Sequence, residues 1–249
     1  MSILKAISLV KRFNNRTVVN SVNLEIKSGE IIGLLGRNGA GKTTTFQMIV
    51  GLLKPDKGTI FIDEDDISRD STYMRATKGI TYLPQENSVF LKASVEDNLK
   101  LVLELQPYTK KEREEIGKKL LDELGLLSLS KQPAHSLSGG ETRKLEICRA
   151  IILKPKFLLL DEPFTGIDPL TIVDLQKIMK NLKDRGIGII LSDHNVRDTF
   201  KTVNRAYVID EGEILIEGTP QEIASDTKAK ERFLGKDFKL GDEVLLQLS

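Results

Sequence analysis

The stretch Gly36-Arg37-Asn38-Gly39-Ala40-Gly41-Lys42-Thr43-Thr44 satisfies the pattern G-x-x-x-x-G-K-[ST] at every required position. Its glycines let the backbone curl so that N–H groups face inward. Together with the positive end of a following helix, those donors make an anion site. Lys42 adds a point charge for the β- and γ-phosphates, and the Thr43 hydroxyl can ligate Mg²⁺. A second set of candidates follows Phe157-Leu158-Leu159-Leu160, an apolar run that ends in Asp161-Glu162. Adjacent carboxylates at the end of a buried strand are costly unless they have partners. Asp161 can hold Mg²⁺ directly or through water, and Glu162 can orient an attacking water or accept its proton. A third stretch, Leu137-Ser138-Gly139-Gly140-Glu141, is again Gly-rich and again precedes a helix, but no lysine stands where Lys42 stands in the first. A fourth, Ser192-Asp193-His194, closes the apolar run Ile187–Leu191. Open α/β sheets bind ligands at that end of their strands.

The elements that must position these groups are legible around them. Ile31–Leu35 reads as a buried strand before the phosphate loop, and Thr44–Val50 as a helix ending near Gly51. Val18, Val22, Leu24 and Ile26 recur at even spacing, as in a half-buried strand. Lys11-Arg12-Phe13 places an aromatic at the end of the first strand, where a ring could stack on a base. Lys54–Gly58 is a turn leading into a strand over Thr59–Asp63. Ile80–Leu83 is a strand stopped by Pro84, and Gln85 opens the loop after it. From Val95 to about Leu124 the period is helical: Val95, Leu99 and Val102 share one face, Ile116, Leu120 and Leu124 another. Pro107 separates the two helices, Thr109–Glu112 is a capping box for the second, and Gly125 ends it. The helix after Glu141 carries Leu145, Cys148 and Ile152. Tyr207–Leu215 reads as a hairpin with Glu211-Gly212 near its tip. Beyond Pro220 the chain is helical and more charged.

Composition narrows the function classes. The 249 residues are 40% hydrophobic and 29% charged, as in an ordered globular chain. Lysine and arginine total 37 against 36 acidic residues, so charge gives no argument for nucleic acid as a partner. No apolar run approaches the roughly 18 residues of a membrane span. Lys5, Lys11 and Arg12 break the N-terminal stretch, which is not read as a signal peptide. The lone Cys148 excludes an intrachain disulfide and suits a reducing compartment. It reads as a small buried residue on a helix, and His135 as structural or surface.

Taken together, the motifs resemble ABC-type ATPases. The phosphate loop, Gln85, Leu137–Glu141, Asp161-Glu162 and His194 occur in that family's order, with Gly166-Ile167-Asp168-Pro169 in the place of its D-loop. The resemblance covers about residues 2–240. It implies a P-loop α/β fold with a mixed core sheet, an antiparallel β subdomain and a helical subdomain inserted at about 95–150. The domain would span 1–240, followed by a tail over 241–249. It implies ATP and Mg²⁺, with the phosphate loop from Gly36 to Thr44 holding the nucleotide and Phe13 stacking on adenine, where the family more often has Tyr. Thr43, Gln85 and Asp161 would serve the metal. Glu162 would be the base, His194 would bridge the γ-phosphate and the opposite subunit, and Lys42 and Gln85 would complete the catalytic set. Ser138, Gly139, Gly140, Glu141 and Asp168 would meet the nucleotide of a second copy, so that ATP binding makes a homodimer. A half-site of that kind explains a phosphate-binding helix start without a lysine.

A narrower similarity, to the ATPase subunits of lipopolysaccharide-export transporters, rests on Tyr82–Glu86, Leu191–Arg197 and Phe233-Leu234-Gly235-Lys236-Asp237-Phe238. It implies two transmembrane partner subunits, no nucleic acid, and a peripheral place on the cytoplasmic face of the inner membrane. It also places Phe90 in the groove that receives a short helix from each partner. The alternative reading is that Phe90 packs into its own lobe. Branched-chain amino-acid importer ATPases also look similar, through Gly166–Pro169, and the Phe233–Phe238 segment favours export. A soluble ABC-type protein is disfavoured because the chain has one phosphate loop and too short a helical block for a long coiled coil. A P-loop kinase would leave Leu137–Glu141 unexplained.

Overall fold

The computed structural model describes residues 1–240; the tail from 241 onward, for which the sequence suggests no role, lies outside the described residues. In chain order the elements begin with β1 (Ile3–Phe13), β2 (Arg16–Lys27), β3 (Ile31–Leu35) and α1 (Lys42–Val50). Next come β4 (Lys57–Ile62), β5 (Asp65–Asp66), α2 (Thr72–Thr77) and β6 (Ile80–Leu83). Three helices follow without an intervening strand: α3 (Val95–Leu103), α4 (Lys110–Glu123) and α5 (Gly139–Ile152). The chain then returns to alternation with β7 (Phe157–Asp161), α6 (Pro169–Asp184), β8 (Gly188–Ser192) and α7 (Val196–Thr202), and continues with β9 (Arg205–Asp210), β10 (Glu213–Gly218), α8 (Pro220–Ser225), α9 (Thr227–Ala229) and a π-helical turn over Lys230–Leu234.

Two sheets result. One is antiparallel, in the order β2-β1-β4-β5; the other has six strands in the order β10-β9-β3-β8-β7-β6. In the second sheet β9, β3, β8, β7 and β6 are parallel neighbours and only β10 runs antiparallel. The parallel strands are largely apolar, with polar residues mainly at their ends, because both their faces are covered. Successive side chains point to opposite faces. Ile32, Leu34, Leu159 and Ile190 meet α1 and the antiparallel sheet, while Ile31, Leu35, Leu158, Leu160, Ile189 and Leu191 meet the later helices. This is the mixed core sheet with an antiparallel β portion that the sequence led us to expect.

The antiparallel sheet departs from simple alternation. Val22, Leu24 and Ile26 are buried, but Val19 continues that face in place of Val18. Ser21 has φ 55°, and pairing steps from Leu9↔Val22 to Lys11↔Val19. The bulge inserts a residue and shifts the alternation by one.

The helical block is held by its own apolar faces. Val95, Leu99 and Leu103 of α3 share a buried cluster with Leu120, Leu121, Leu124, Leu145 and Cys148. The capping box at Thr109 and Glu112 is formed, and Gly125 follows α4 with φ 73°. Burial pushes the Cys148 thiol up to about 12, so it packs as a small apolar group. His135 lies at the surface, its Nδ1 3.2 Å from the Leu91 carbonyl. Among the described residues no helix is long and apolar enough to cross a membrane.

The sequence reading missed α2, which is only six residues long and too short to show a period. Its Arg75 is almost fully buried. The guanidinium donates to the carbonyls of Met48 and Ile49 (2.7 Å each), Ser68 (3.0 Å) and Asp70 (3.1 Å). A cation at the last carbonyls of α1 satisfies orphan acceptors and complements the helix dipole. Arg75→Ala leaves those carbonyls without donors. We expect a loss of about 3 kcal/mol, read as a melting temperature lower by about 6–12 °C in calorimetry. A shift of under 2 °C would mean that water replaces the guanidinium at no cost.

Candidate nucleotide site

Strand register assembles the site. Leu83 lies opposite Leu160 in β6 and β7, and Asp161 opposite Ser192 in β7 and β8. Gln85 therefore stands level with Glu162, each two residues past a paired leucine, and His194 is two residues past Ser192. β3 delivers the phosphate loop at the same edge. The groups read separately from the sequence thus converge because parallel strands end together.

The loop itself leads into α1, which begins at Lys42, two residues earlier than the apolar pattern suggested. Gly41 is the N-cap with φ 111°, and a Cβ there would come 2.8 Å from the Val18 carbonyl. Only glycine meets both conditions. Asn38, Gly39, Gly41, Lys42, Thr43 and Thr44 line a cleft of about 550 Å³, with Gln85, Glu162, Thr165 and His194 across from them. Val18, displaced by the β2 bulge, lines it too. Ala40 is buried beneath the loop, and its N–H donates to the Arg37 carbonyl at 3.1 Å.

Lys42 is buried, and its ammonium donates to the carbonyls of Gly36 (2.7 Å) and Arg37 (3.1 Å). Burial pulls its pKa below the ordinary lysine value, and the charges of Glu162, Asp161 and Asp193 oppose that shift. Glu162 has φ 48°, a strained conformation for a non-glycine residue. Its Oε2 accepts from the Gln85 amide and from the Thr165 hydroxyl, both at 3.0 Å, and lies 3.5 Å from His194 Nδ1.

Asp161 is fully buried. Its Oδ2 accepts from the Tyr82 hydroxyl (3.1 Å) and its Oδ1 from Ser192. Burial first, and then the adjacent Asp161 charge, push the Tyr82 phenol well above its usual range. Asp193 is buried as well, and desolvation raises its pKa. It accepts from the backbone N–H groups of Asn195 (2.8 Å) and Phe164 (3.0 Å), tying the two loops that carry His194 and Thr165.

The remaining candidates stand elsewhere. Phe13 is half exposed at the end of β1, with the Lys11 ammonium 5.7 Å from its ring centroid, and it does not line the cleft. Ser138, Gly139, Gly140 and Glu141 are also outside that lining. Ser138 caps α5 in a capping box with Glu141. Asp168 caps α6 by accepting from the Thr171 N–H at 3.0 Å. These two helix starts touch: a Cβ on Gly140 would fall 2.2 Å from the Thr171 methyl, and one on Gly139 3.4 Å from Ile167. The structure therefore brings Ser138–Glu141 and Asp168 into one cluster, apart from the chain's own phosphate cleft. A further cleft of about 580 Å³ beside β2 and β9 is lined by Lys5, Glu25, Lys27, Glu30, Arg205 and Glu217, of which Lys5 pairs with Glu25 and Arg205 with Glu30 and Glu217.

Sequence reasoning missed Thr165, Tyr82, Asp193 and Val18. Asp193 was visible as a buried-strand acid beside His194; the others carry no signal in isolation.

A family model described as "ABC transporter" matches residues 19–165. The chain belongs to the ABC transporter family. Its similarity to individual members of the family extends over nearly its whole length. The lipopolysaccharide export system ATP-binding protein LptB of Escherichia coli (strain K12) is 47% identical over 241 residues, covering 96% of this chain and all of that protein. LptB of Acidithiobacillus ferridurans is 47% identical over 238 residues, covering 96% and 99%. Among solved structures, a nucleotide-free ATP-binding cassette from an ABC transporter superposes with TM-score 0.84 at 28% identity, covering 95% of this chain and all of that one. As an ABC ATPase the chain binds and hydrolyses ATP.

Lys42→Ala removes the ammonium that bonds the Gly36 and Arg37 carbonyls of the loop. A buried anion site deprived of a charge-assisted hydrogen bond is expected to show an ATP dissociation constant raised by about 100-fold or more, close to 3 kcal/mol. Titration with a fluorescent ATP analogue measures it, and an affinity within threefold of the native chain would remove Lys42 from phosphate binding.

Proposed function

We propose that this chain is the ATP-hydrolysing subunit of a lipopolysaccharide exporter, acting as a homodimer beneath two membrane-spanning partner subunits. The observation that carries this reading is the end-to-end 47% identity to LptB of Escherichia coli, which favours export over amino-acid import. With those partners in the inner membrane, the chain would sit peripherally on the cytoplasmic face. Neither a nucleic acid partner nor a membrane anchor of its own is part of this reading.

In this scheme the backbone N–H groups of residues 36–44 and Lys42 hold the ATP phosphates, and Phe13 stacks on adenine from the rim. Glu162 is the base that takes the proton of the attacking water. Gln85 and Thr165 hold its carboxylate. His194, largely exposed at the same edge, is free to meet the γ-phosphate. Ser138, Gly139, Gly140, Glu141 and Asp168 close over the ATP of the second copy, which fits their position outside the chain's own cleft.

Mg²⁺ suits the donors present. Asp161, Glu162 and Asp193 converge on one edge with a single lysine among them, and a triphosphate adds more negative charge. Bound Mg²⁺ would offset that charge and polarise the phosphates. The Thr43 hydroxyl, the Asp161 carboxylate and the Gln85 amide are hard oxygen donors of the kind it prefers. Among the described residues no group of three or more acidic, His or Cys side chains could hold a metal alone, consistent with an ion that shares its ligands with phosphate and water.

Glu162→Gln keeps shape and removes the base. It should bind ATP with native affinity, lose at least about 100-fold in turnover and shift from monomer to dimer on a sizing column with ATP. Turnover at the native rate would refute Glu162 as the base.

Phe90 is 51% exposed, with the Arg149 guanidinium 4.9 Å from its ring, which favours the partner groove over packing within its own lobe. A half-exposed aromatic beside exposed Leu91 is the kind of anchor a helix-in-groove contact uses. Phe90→Ala should leave melting temperature and ATP turnover of the chain alone unchanged. Association with the membrane subunits should weaken by about 2–4 kcal/mol in a detergent pull-down. A markedly lower melting temperature would make Phe90 a folding residue instead.

A further inference from the structure

Arg143 and Glu146 lie one turn apart on α5 and pair at 2.8 Å, with side-chain exposures of 7% and 0%. The pair makes more bonds than mutual neutralisation needs. Arg143 Nη1 also donates to the Pro84 carbonyl at 3.1 Å, and Nη2 donates to the Asp161 carbonyl at 2.9 Å. The second oxygen of Glu146 accepts from the N–H (2.6 Å) and hydroxyl (3.0 Å) of Ser88.

The ends of those bonds are specific. Pro84 immediately precedes Gln85, Asp161 immediately precedes Glu162, and Ser88 lies on the far side of the Gln85 loop. The guanidinium fork therefore spans the ends of β6 and β7, the two strands that deliver Gln85 and Glu162. Those side chains meet at 3.0 Å across the gap that the fork spans. A buried ion pair by itself argues little about stability, since apolar residues of similar volume often serve as well. A planar fork bonded to two carbonyls at the ends of neighbouring strands does something apolar residues cannot: it sets their separation.

We propose that Arg143 is a positioning residue for ATP hydrolysis, fixing the distance between Gln85 and Glu162 through the Pro84 and Asp161 carbonyls. Glu146 holds the guanidinium in place and grips the Gln85 loop at Ser88. Arg143 acts on the site only through these main-chain groups. Because α5 starts at Ser138, the same helix joins the Gln85 loop to the surface offered to the second copy. The proposal rests on the roles given above to Gln85 and Glu162.

The test uses the full chain in two variants. Arg143→Lys keeps the charge but presents one ammonium, which cannot reproduce the planar fork across both carbonyls. The double variant Arg143→Met with Glu146→Leu removes both charges and keeps volume. Melting temperature, affinity for a fluorescent ATP analogue and kcat are measured for each. We expect folded proteins, ATP affinity within threefold of native and kcat at least tenfold lower, because alignment is lost while binding is kept. Native kcat in either folded variant overturns the proposal, as does a loss of affinity equal to the loss of kcat. Failure of both variants to fold also overturns it, since the pair would then be a determinant of the fold. Glu162→Gln measured alongside separates the two ideas. Native turnover there removes the base assignment and this proposal with it. A slow Glu162→Gln beside fast Arg143 variants removes only the positioning role.

Discussion

Parallel pairing is the constraint on which the site depends. Because β3, β8, β7 and β6 run in one direction, their C-terminal ends reach one edge of the sheet. Each strand is short, and its apolar residues are buried on both faces. Polar and charged groups are therefore displaced to the strand ends, where the backbone leaves the sheet. A slip of one residue between β6 and β7 would turn the β6 residues to the opposite faces and take Gln85 out of level with Glu162. The apolar faces of the strands thus protect the register of the chemistry.

The same edge concentrates charge that folding alone would not favour. Three carboxylates and a lysine are withdrawn from much of the water, and each is held by specific bonds. Asp161 has Tyr82 and Ser192, Asp193 has two backbone N–H groups, and Lys42 has two carbonyls of its own loop. Burial lowers the pKa of Lys42 and raises that of Asp193, opposite signs of one desolvation effect. A phosphate entering the loop would give Lys42 an anionic partner in place of neutral carbonyls. The strained φ of Glu162 fits the same pattern, with local cost retained where geometry matters.

The helical block adds a second level of organisation. Its apolar seam makes α3, α4 and α5 one packed unit, while the polar residues of α5 reach back to the sheet edge. One helix consequently touches three things: the Gln85 loop, the end of β7 and, through Gly140, the start of α6. The exposed ring of Phe90 lies along this path, its backbone N–H and carbonyl both bonded to the buried Asn98 of α3. Arg149, whose guanidinium lies beside the Phe90 ring, donates to the Ser88 carbonyl, and Ser88 in turn donates to Glu146, so the surface around Phe90 is tied to α5 by hydrogen bonds as well as by chain connectivity.

Much of this was determined by the sequence itself. The phosphate loop between strand and helix, the buried β7 run ending in Asp161-Glu162, the capping box of α4 and the glycines closing α1 and α4 are local features, and local physics suffices for them. Apolar period specified strand or helix, and cap chemistry specified most ends. Tertiary structure decided the rest. The β2 bulge moved Val19 into the core and Val18 to the cleft, and no alternation rule contains the extra residue at Ser21. Arg75 caps a helix more than twenty residues earlier, and its six-residue helix is too short for a period to show. Thr165, Tyr82 and Arg143 are ordinary in sequence and acquire roles only when parallel pairing brings distant strand ends within hydrogen-bond reach. Residue type and spacing encode what each segment can do alone, whereas strand register, set by burial on both faces of the sheet, decides which of those segments meet.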